Sequence, residues 1–138
     1  MTNEAIKTLV DTAVLAREKS YCPYSNFAVG AALLTKSGNI YTGANIESVS
    51  FTPTICAERV AFFSAIHNGE KDFEAIAIVG AKKGELISSL CAPCGVCRQV
   101  MAEFCDKDFT IILYDGKNTK TYTLGELLPE SFDKDNIK

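Results

Sequence analysis

The sequence has one histidine, no surplus of basic residues and no long apolar run. Each shortage narrows what the chain can do. With His67 as the single imidazole, a transition-metal site has to draw mainly on sulfur. A formal charge of −3 argues against a nucleic acid polymer as partner, because phosphates demand a basic face. No stretch approaches the roughly 18 apolar residues that a membrane helix needs, so no membrane association is expected. The opening Met1-Thr2-Asn3-Glu4 has no basic stretch feeding an apolar one. No secretory leader is therefore expected there, and the expected location is cytoplasmic. Low-complexity tracts, internal repeats and long linkers are missing too, and 138 residues suit one domain spanning 1–138.

What the chain does have is 47% hydrophobic residues, enough for a core, and six cysteines. In a reducing compartment those cysteines read as metal ligands or buried thiols, not as disulfides. Four of them fall in two short runs, Cys56-Ala57-Glu58 and Cys91-Ala92-Pro93-Cys94-Gly95-Val96-Cys97. Cys56, Cys94 and Cys97 make a three-thiol set suited to zinc, which takes four tetrahedral ligands and in catalytic sites leaves one position to water. Glu58, two residues past Cys56, stands beside such a metal without having to bind it, the place of a general acid/base. Three thiolates leave a zinc centre net negative, and two helix N-termini together with Arg59 are available to offset that charge.

Other readings of the same residues stay open. The Cys-x-x-Cys run alone also fits a redox pair. Cys91 is a possible fourth ligand, which would close the site and make it a structural zinc module. Cys22 and Cys105 read as buried hydrophobes. His67 lies more than two turns beyond Cys56 and reads as a surface residue.

Hydrophobic periodicity predicts a helix over 4–19, with Asn3 as its N-cap. Strands are expected over 27–35 and 40–46, joined by the Lys36-Ser37-Gly38-Asn39 turn into an antiparallel hairpin. A helix over 55–68, a buried strand over 74–81 and a helix over 94–105 follow. Strands over 110–114 and 120–123 are joined by a turn too short for a parallel crossover, and a short helix over 124–128 precedes a frayed tail. The expected fold is a three-layer α/β/α arrangement with a mixed five-stranded sheet. Right-handed crossovers would put both cysteine-bearing helix starts on one side of that sheet.

Further stretches give the sequence a wider likeness. They are Tyr24-Ser25-Asn26-Phe27, Val29-Gly30-Ala31-Ala32-Leu33-Leu34, Asn45-Ile46-Glu47, Ile55-Cys56-Ala57-Glu58-Arg59, Lys71-Asp72-Phe73, Pro93-Cys94-Gly95-Val96-Cys97-Arg98-Gln99-Val100 and Glu126-Leu127-Leu128-Pro129. Taken in order they resemble the small homotetrameric cytidine deaminases of the cytidine/deoxycytidylate deaminase superfamily. A three-cysteine zinc site with a glutamate that does not bind the metal is one variant of the zinc deaminase pattern. The resemblance implies zinc-dependent deamination of cytidine and deoxycytidine to uridine and deoxyuridine, in pyrimidine salvage. One zinc per subunit would be held by Cys56, Cys94 and Cys97, with Glu58 carrying protons.

It implies, too, that Asn45 and Glu47 bind a ribose hydroxyl, that Phe27 packs on the pyrimidine, and that backbone near Ala57 reads the base edge. Arg59 would donate to a thiolate, and Phe132 would reach a neighbouring subunit's site. The partner implied is a small nucleoside, within a homotetramer. Two departures stand out: Phe51, where relatives commonly carry tyrosine, and Cys91 beside the Pro-Cys motif. The blasticidin S deaminases share the metal motifs and are the second enzyme reading.

Overall fold

A computed structural model describes residues 1–138. Its elements run α1 (Asn3–Ala16), β1 (Phe27–Thr35), β2 (Ile40–Ala44), α2 (Ala57–His67), β3 (Phe73–Lys82), α3 (Gly95–Phe104), β4 (Thr110–Tyr114), β5 (Thr119–Thr123) and α4 (Leu124–Leu127), with 3-10 turns at Arg17–Lys19 and Lys134–Ile137. The five strands form one sheet in the order β2-β1-β3-β4-β5. It is mixed: β3 and β4 are parallel, and every other neighbouring pair is antiparallel. This is the α/β fold and five-stranded sheet that the periodicity predicts.

The sheet separates two cores. On one face Leu9, Val10 and Ala13 of α1 pack on Ala32, Ala75, Ala77, Val79 and Ile112. On the other, Ala61, Phe62 and Ala65 of α2 share a cluster with Met101 of α3, Leu33, Ile76, Ile78 and Ile111. Consecutive residues of β3 alternate between these clusters, as the two-residue period of a strand requires. β1 and β3 are nearly continuous apolar runs because both of their faces are covered.

Topology places the two cysteine motifs together. β2 and β3 point the same way, since each is antiparallel to β1. α2 carries the chain from β2 to β3, and α3 carries it from β3 to β4. Both crossovers step in the same direction across the sheet, so a shared right-handed sense puts both helices on one face. Each helix starts just beyond the C-terminal end of a strand, the usual place for a site in an open α/β sheet. β1 runs the other way and contributes its first residues to that same end.

Local contacts fix these elements closely. α2 lies so near β2 that a Cβ on Gly43 would sit 2.2 Å from the Ala57 carbonyl oxygen and 2.7 Å from Ala61 N. Only glycine permits that approach, which brings the first turn of α2, and with it Cys56 and Glu58, down onto the sheet. Arg17 ties the start of β1 to the end of β3. Its Nε donates to the Ala28 carbonyl at 3.1 Å, and its Nη2 to those of Ala81 and Lys82 at 3.1 and 2.9 Å.

The structure corrects several boundaries. Thr2, not Asn3, caps α1, its hydroxyl accepting from Ala5 N at 3.1 Å, and the helix gives way to a 3-10 turn after Ala16. β2 stops at Ala44; Ile46 instead bridges Tyr21 and Ile55, which turns the chain toward α2. The tail is not frayed: Asp133 caps the turn at Lys134–Ile137 through a reciprocal capping box with Asn136.

Candidate active site and metal centre

Cys56 and Cys94 occupy equivalent places, each the N-cap of its helix, α2 and α3, and neither side chain makes a capping hydrogen bond. Cys97 follows one turn into α3 and is buried, 1% exposed. The three Sγ atoms lie within 4.8 Å of one another, and Cys56 and Cys94 stand 3.8 Å apart. A tetrahedral zinc with Zn–S bonds of about 2.3 Å requires sulfurs about 3.8 Å apart. The cluster therefore fits zinc in donor type and in size. Two helix N-termini, each equivalent to roughly half a positive charge, converge on it.

The sulfurs also interact with one another. Hydrogen bonding from the Cys97 thiol, and then from Arg59 and Cys94, pulls Cys56 down to about 5 against the opposing effect of burial. The same contact raises Cys97, since the proton it shares with Cys56 stays on the more buried sulfur. Arg59 reaches Cys56 Sγ with Nη2 at 3.6 Å, while its Nε is buried with no hydrogen-bond partner. A half-buried guanidinium facing sulfur suits a centre of three thiolates and one dication, whose net charge is negative.

Glu58 is at the second position of α2 and is 4% exposed. Burial, with the Cys56 charge adding to it, pushes its carboxyl up to about 7. A group with a pKa there both takes and gives protons near neutral pH. Glu58, Cys56 and Cys94 line a cavity of about 310 Å³, to which Ala57, Phe27, Asn45 and Glu47 also contribute. The structure thus brings together most of the residues singled out in the sequence, drawn from the start of β1, the end of β2 and two helix starts.

Two expected contributors sit differently. Asn45 is woven into the backbone: its Oδ1 accepts from Val29 N at 2.9 Å and from the Ser20 hydroxyl. Its Nδ2 donates to the Phe27 carbonyl at 2.8 Å, which leaves one amide hydrogen uncommitted. Phe132 is exposed and lies outside the cavity of its own chain, with its carbonyl held by Gln99 Nε2 at 2.7 Å.

Cys91 is in the cavity wall but not in the sulfur cluster. A Cβ on Gly80 would meet Cys91 Sγ at 2.8 Å and the Phe27 ring at 2.9 Å. Both side chains therefore use the space that glycine leaves on β3. Burial, then the charges of Glu58 and Cys56, push the Cys91 thiol up to about 11, which disfavours it as a fourth thiolate. Cys22 is buried and Cys105 half-buried, and His67 is exposed at the end of α2, all as the sequence suggests. Ser25, Thr54, Ile55 and Ala92 also line the cavity and were not singled out individually from the sequence. Their one sequence signal is adjacency to Phe27, Cys56 and Pro93.

Residues 3–113 match the family model described as the cytidine and deoxycytidylate deaminase zinc-binding region. A cytidine deaminase of Sporosarcina psychrophila is 42% identical over 133 residues, covering 96% of this chain and 94% of that one. One of Halalkalibacterium halodurans is 45% identical over 130 residues, covering 94% and 95%. The crystal structure of cytidine deaminase from Burkholderia pseudomallei superposes with a TM-score of 0.84 at 42% identity, covering 96% of this chain and all of that one. Zinc is accordingly the cofactor, and the cluster of Cys56, Cys94 and Cys97 is the group able to hold it. By its matched residues and its fold, this chain belongs to the cytidine and deoxycytidylate deaminase family.

Proposed function

We propose that this chain hydrolyses the C4–amino bond of cytidine and deoxycytidine, giving uridine or deoxyuridine and ammonia. Cys56, Cys94 and Cys97 hold one zinc per subunit, and Glu58 is the catalytic proton carrier. The observation that carries this reading is a nearly buried carboxylate opening onto the same cavity as a zinc-sized thiol cluster. When bound, zinc lowers the pKa of water and so supplies a nucleophile near neutral pH.

The chain's own residues do the rest. Glu58 takes a proton from the attacking water and delivers it to ring N3, which makes C4 electrophilic enough for the C–O bond to form. As the C4–N bond breaks, the same carboxylate moves a proton from the new hydroxyl to the departing amine, which leaves as ammonia. Phe27 packs on the ring, and backbone at Ala57 reads the base edge. Glu47 accepts from a sugar hydroxyl while the remaining Asn45 amide hydrogen donates to it. Arg59 offsets thiolate charge through Cys56 Sγ. A closed structural zinc module is disfavoured because Cys91 stands apart from the cluster.

The test is an ultraviolet time course of cytidine and deoxycytidine with zinc-replete protein. Conversion to the uracil nucleosides with one ammonia per turnover is expected. A zinc-replete protein that leaves both intact overturns the reading, and turnover of blasticidin S alone would move it to the antibiotic deaminases.

We further infer a homotetramer working in the cytoplasm in pyrimidine salvage. No helix is long and apolar enough to cross a membrane. Phe51, 73% exposed, meets the exposed Tyr24 edge to face, and Val49, Phe63 and Phe132 are also exposed, apolar side chains suited to burial between copies. In that assembly Phe132 reaches a neighbouring subunit's cavity. Gel filtration should give a mass near four times the 15.0 kDa of one chain; elution at one chain's mass ends both the tetramer and the Phe132 reading.

A further inference from the structure

The loop before β1 aims three hydrogen-bond donors at one carboxylate. Tyr24 N–H and Ser25 N–H both donate to Glu47 Oε1, at 2.9 and 3.1 Å, and the Ser25 hydroxyl donates to Glu47 Oε2. The same hydroxyl oxygen accepts from Phe27 N–H at 3.0 Å. Two successive backbone amides turned toward one oxygen form an anion-binding nest.

The loop is held in this shape from two sides. Asn26 takes the left-handed conformation, φ 57°, and its N–H donates to the Cys22 carbonyl at 2.9 Å. Lys82 Nζ, at the end of β3, donates to the Ser25 carbonyl at 3.2 Å.

A carboxylate held only at one oxygen can still pivot about that oxygen as the torsions of its side chain adjust. Here Oε1 is occupied by two amides, so Oε2 is the oxygen available to a ligand. Ser25 is the one side chain that donates to Glu47, and both residues line the cavity. The serine hydroxyl therefore removes the remaining freedom of Oε2. Because that hydroxyl also takes the Phe27 N–H, it sets the carboxylate at a fixed spacing from the start of β1 and its ring.

We propose that Ser25 is a positioning residue for sugar recognition, its hydroxyl holding Glu47 Oε2 in place to accept a hydroxyl of the nucleoside. This rests on the reading of Glu47 as the sugar-hydroxyl acceptor. If cytidine and deoxycytidine are both substrates, the hydroxyl read is one they share, at the 3′ or the 5′ carbon.

The experiment compares kcat/KM for deoxycytidine with that for 2′,3′-dideoxycytidine and for 2′,5′-dideoxycytidine, in the native enzyme, Ser25→Ala, Ser25→Thr and Glu47→Gln. Each preference is a ratio within one preparation, so loss of folded protein cancels. The native enzyme should prefer deoxycytidine over one of the two analogues, and Glu47→Gln should narrow that preference. Ser25→Ala should narrow the same preference about fivefold, mostly through a higher KM for deoxycytidine, in keeping with the net worth of one hydrogen bond. Ser25→Thr, which keeps a hydroxyl, should restore it.

A Ser25→Ala variant that slows all three substrates equally, while Glu47→Gln narrows the preference, overturns the role of Ser25 and leaves Glu47 standing. A threonine variant that behaves like alanine overturns it as well. If Glu47→Gln leaves both preferences untouched, the sugar reading of Glu47 fails and the proposal falls with it.

Discussion

Glu58→Gln is expected to keep its zinc and lose about 10³- to 10⁴-fold in kcat. General acid–base groups contribute roughly 10²- to 10⁴-fold, and the upper end applies because in the proposed mechanism one carboxylate serves both the addition of water and the expulsion of ammonia. Glutamine keeps the shape of a side chain that is 4% exposed, so packing at the start of α2 is preserved. Glu58 is not a member of the sulfur cluster, so metal content should match the native protein. Glutamine, however, cannot take a proton, whereas burial poises the native carboxyl at about 7. The measurement is single-turnover conversion of cytidine by both proteins at matched zinc content. A glutamine variant within tenfold of native removes Glu58 from the chemistry. One that has lost its zinc moves Glu58 into the metal's ligand set.

The zinc cluster was legible because its information is local. A Cys-x-x-Cys pair at a helix start and a cysteine two residues before a glutamate are short-range patterns, and two crossovers stepping the same way across a sheet bring them together. The sheet was legible because β1 and β3 are nearly continuous apolar runs and the Lys36-Ser37-Gly38-Asn39 turn is short. Boundaries were less so. Thr2 and Asn3 are both good caps, and nothing in their neighbourhood ranks them; the structure selects Thr2.

Interactions between distant segments were harder still to read. Asn45 reads from sequence as a ligand-facing amide, yet three of its hydrogen bonds go to Ser20, Phe27 and Val29; the β1–β2 pairing brings up the last two, and the segment after α1, whose Tyr21 N–H donates to the Asn45 carbonyl, brings up Ser20. Ser25 gives no chemical signal beyond its place near Phe27, and its tie to Glu47 exists only once the loop before β1 has closed against the segment after β2. Gly43 and Gly80 look like ordinary strand glycines, but the space they leave seats α2 and, separately, Phe27 with Cys91.

Zinc should reverse the order of stability between the native protein and Cys94→Ser. Thr2, Thr123 and Asp133 each accept a backbone hydrogen bond at the start of their helices, whereas Cys56 and Cys94 stand at N-caps and accept none. Serine at an N-cap is worth about 1 kcal/mol over a residue that cannot cap. Cys94 is exposed, so changing it leaves the core intact, which is not true of Cys97. In chelator, Cys94→Ser should therefore unfold at the same or a higher denaturant concentration than the native chain. With zinc at a thousand times its dissociation constant, the native fold gains about 4 kcal/mol by mass action. The variant, lacking one of three sulfurs, gains far less and becomes the weaker of the two. Paired denaturation midpoints, with chelator and with zinc, read this crossover directly. Equal destabilisation of Cys94→Ser under both conditions, or a native midpoint unmoved by zinc, rules it out. A cysteine at a helix end that serine caps better gives up local stability, a loss that the proposed metal binding offsets.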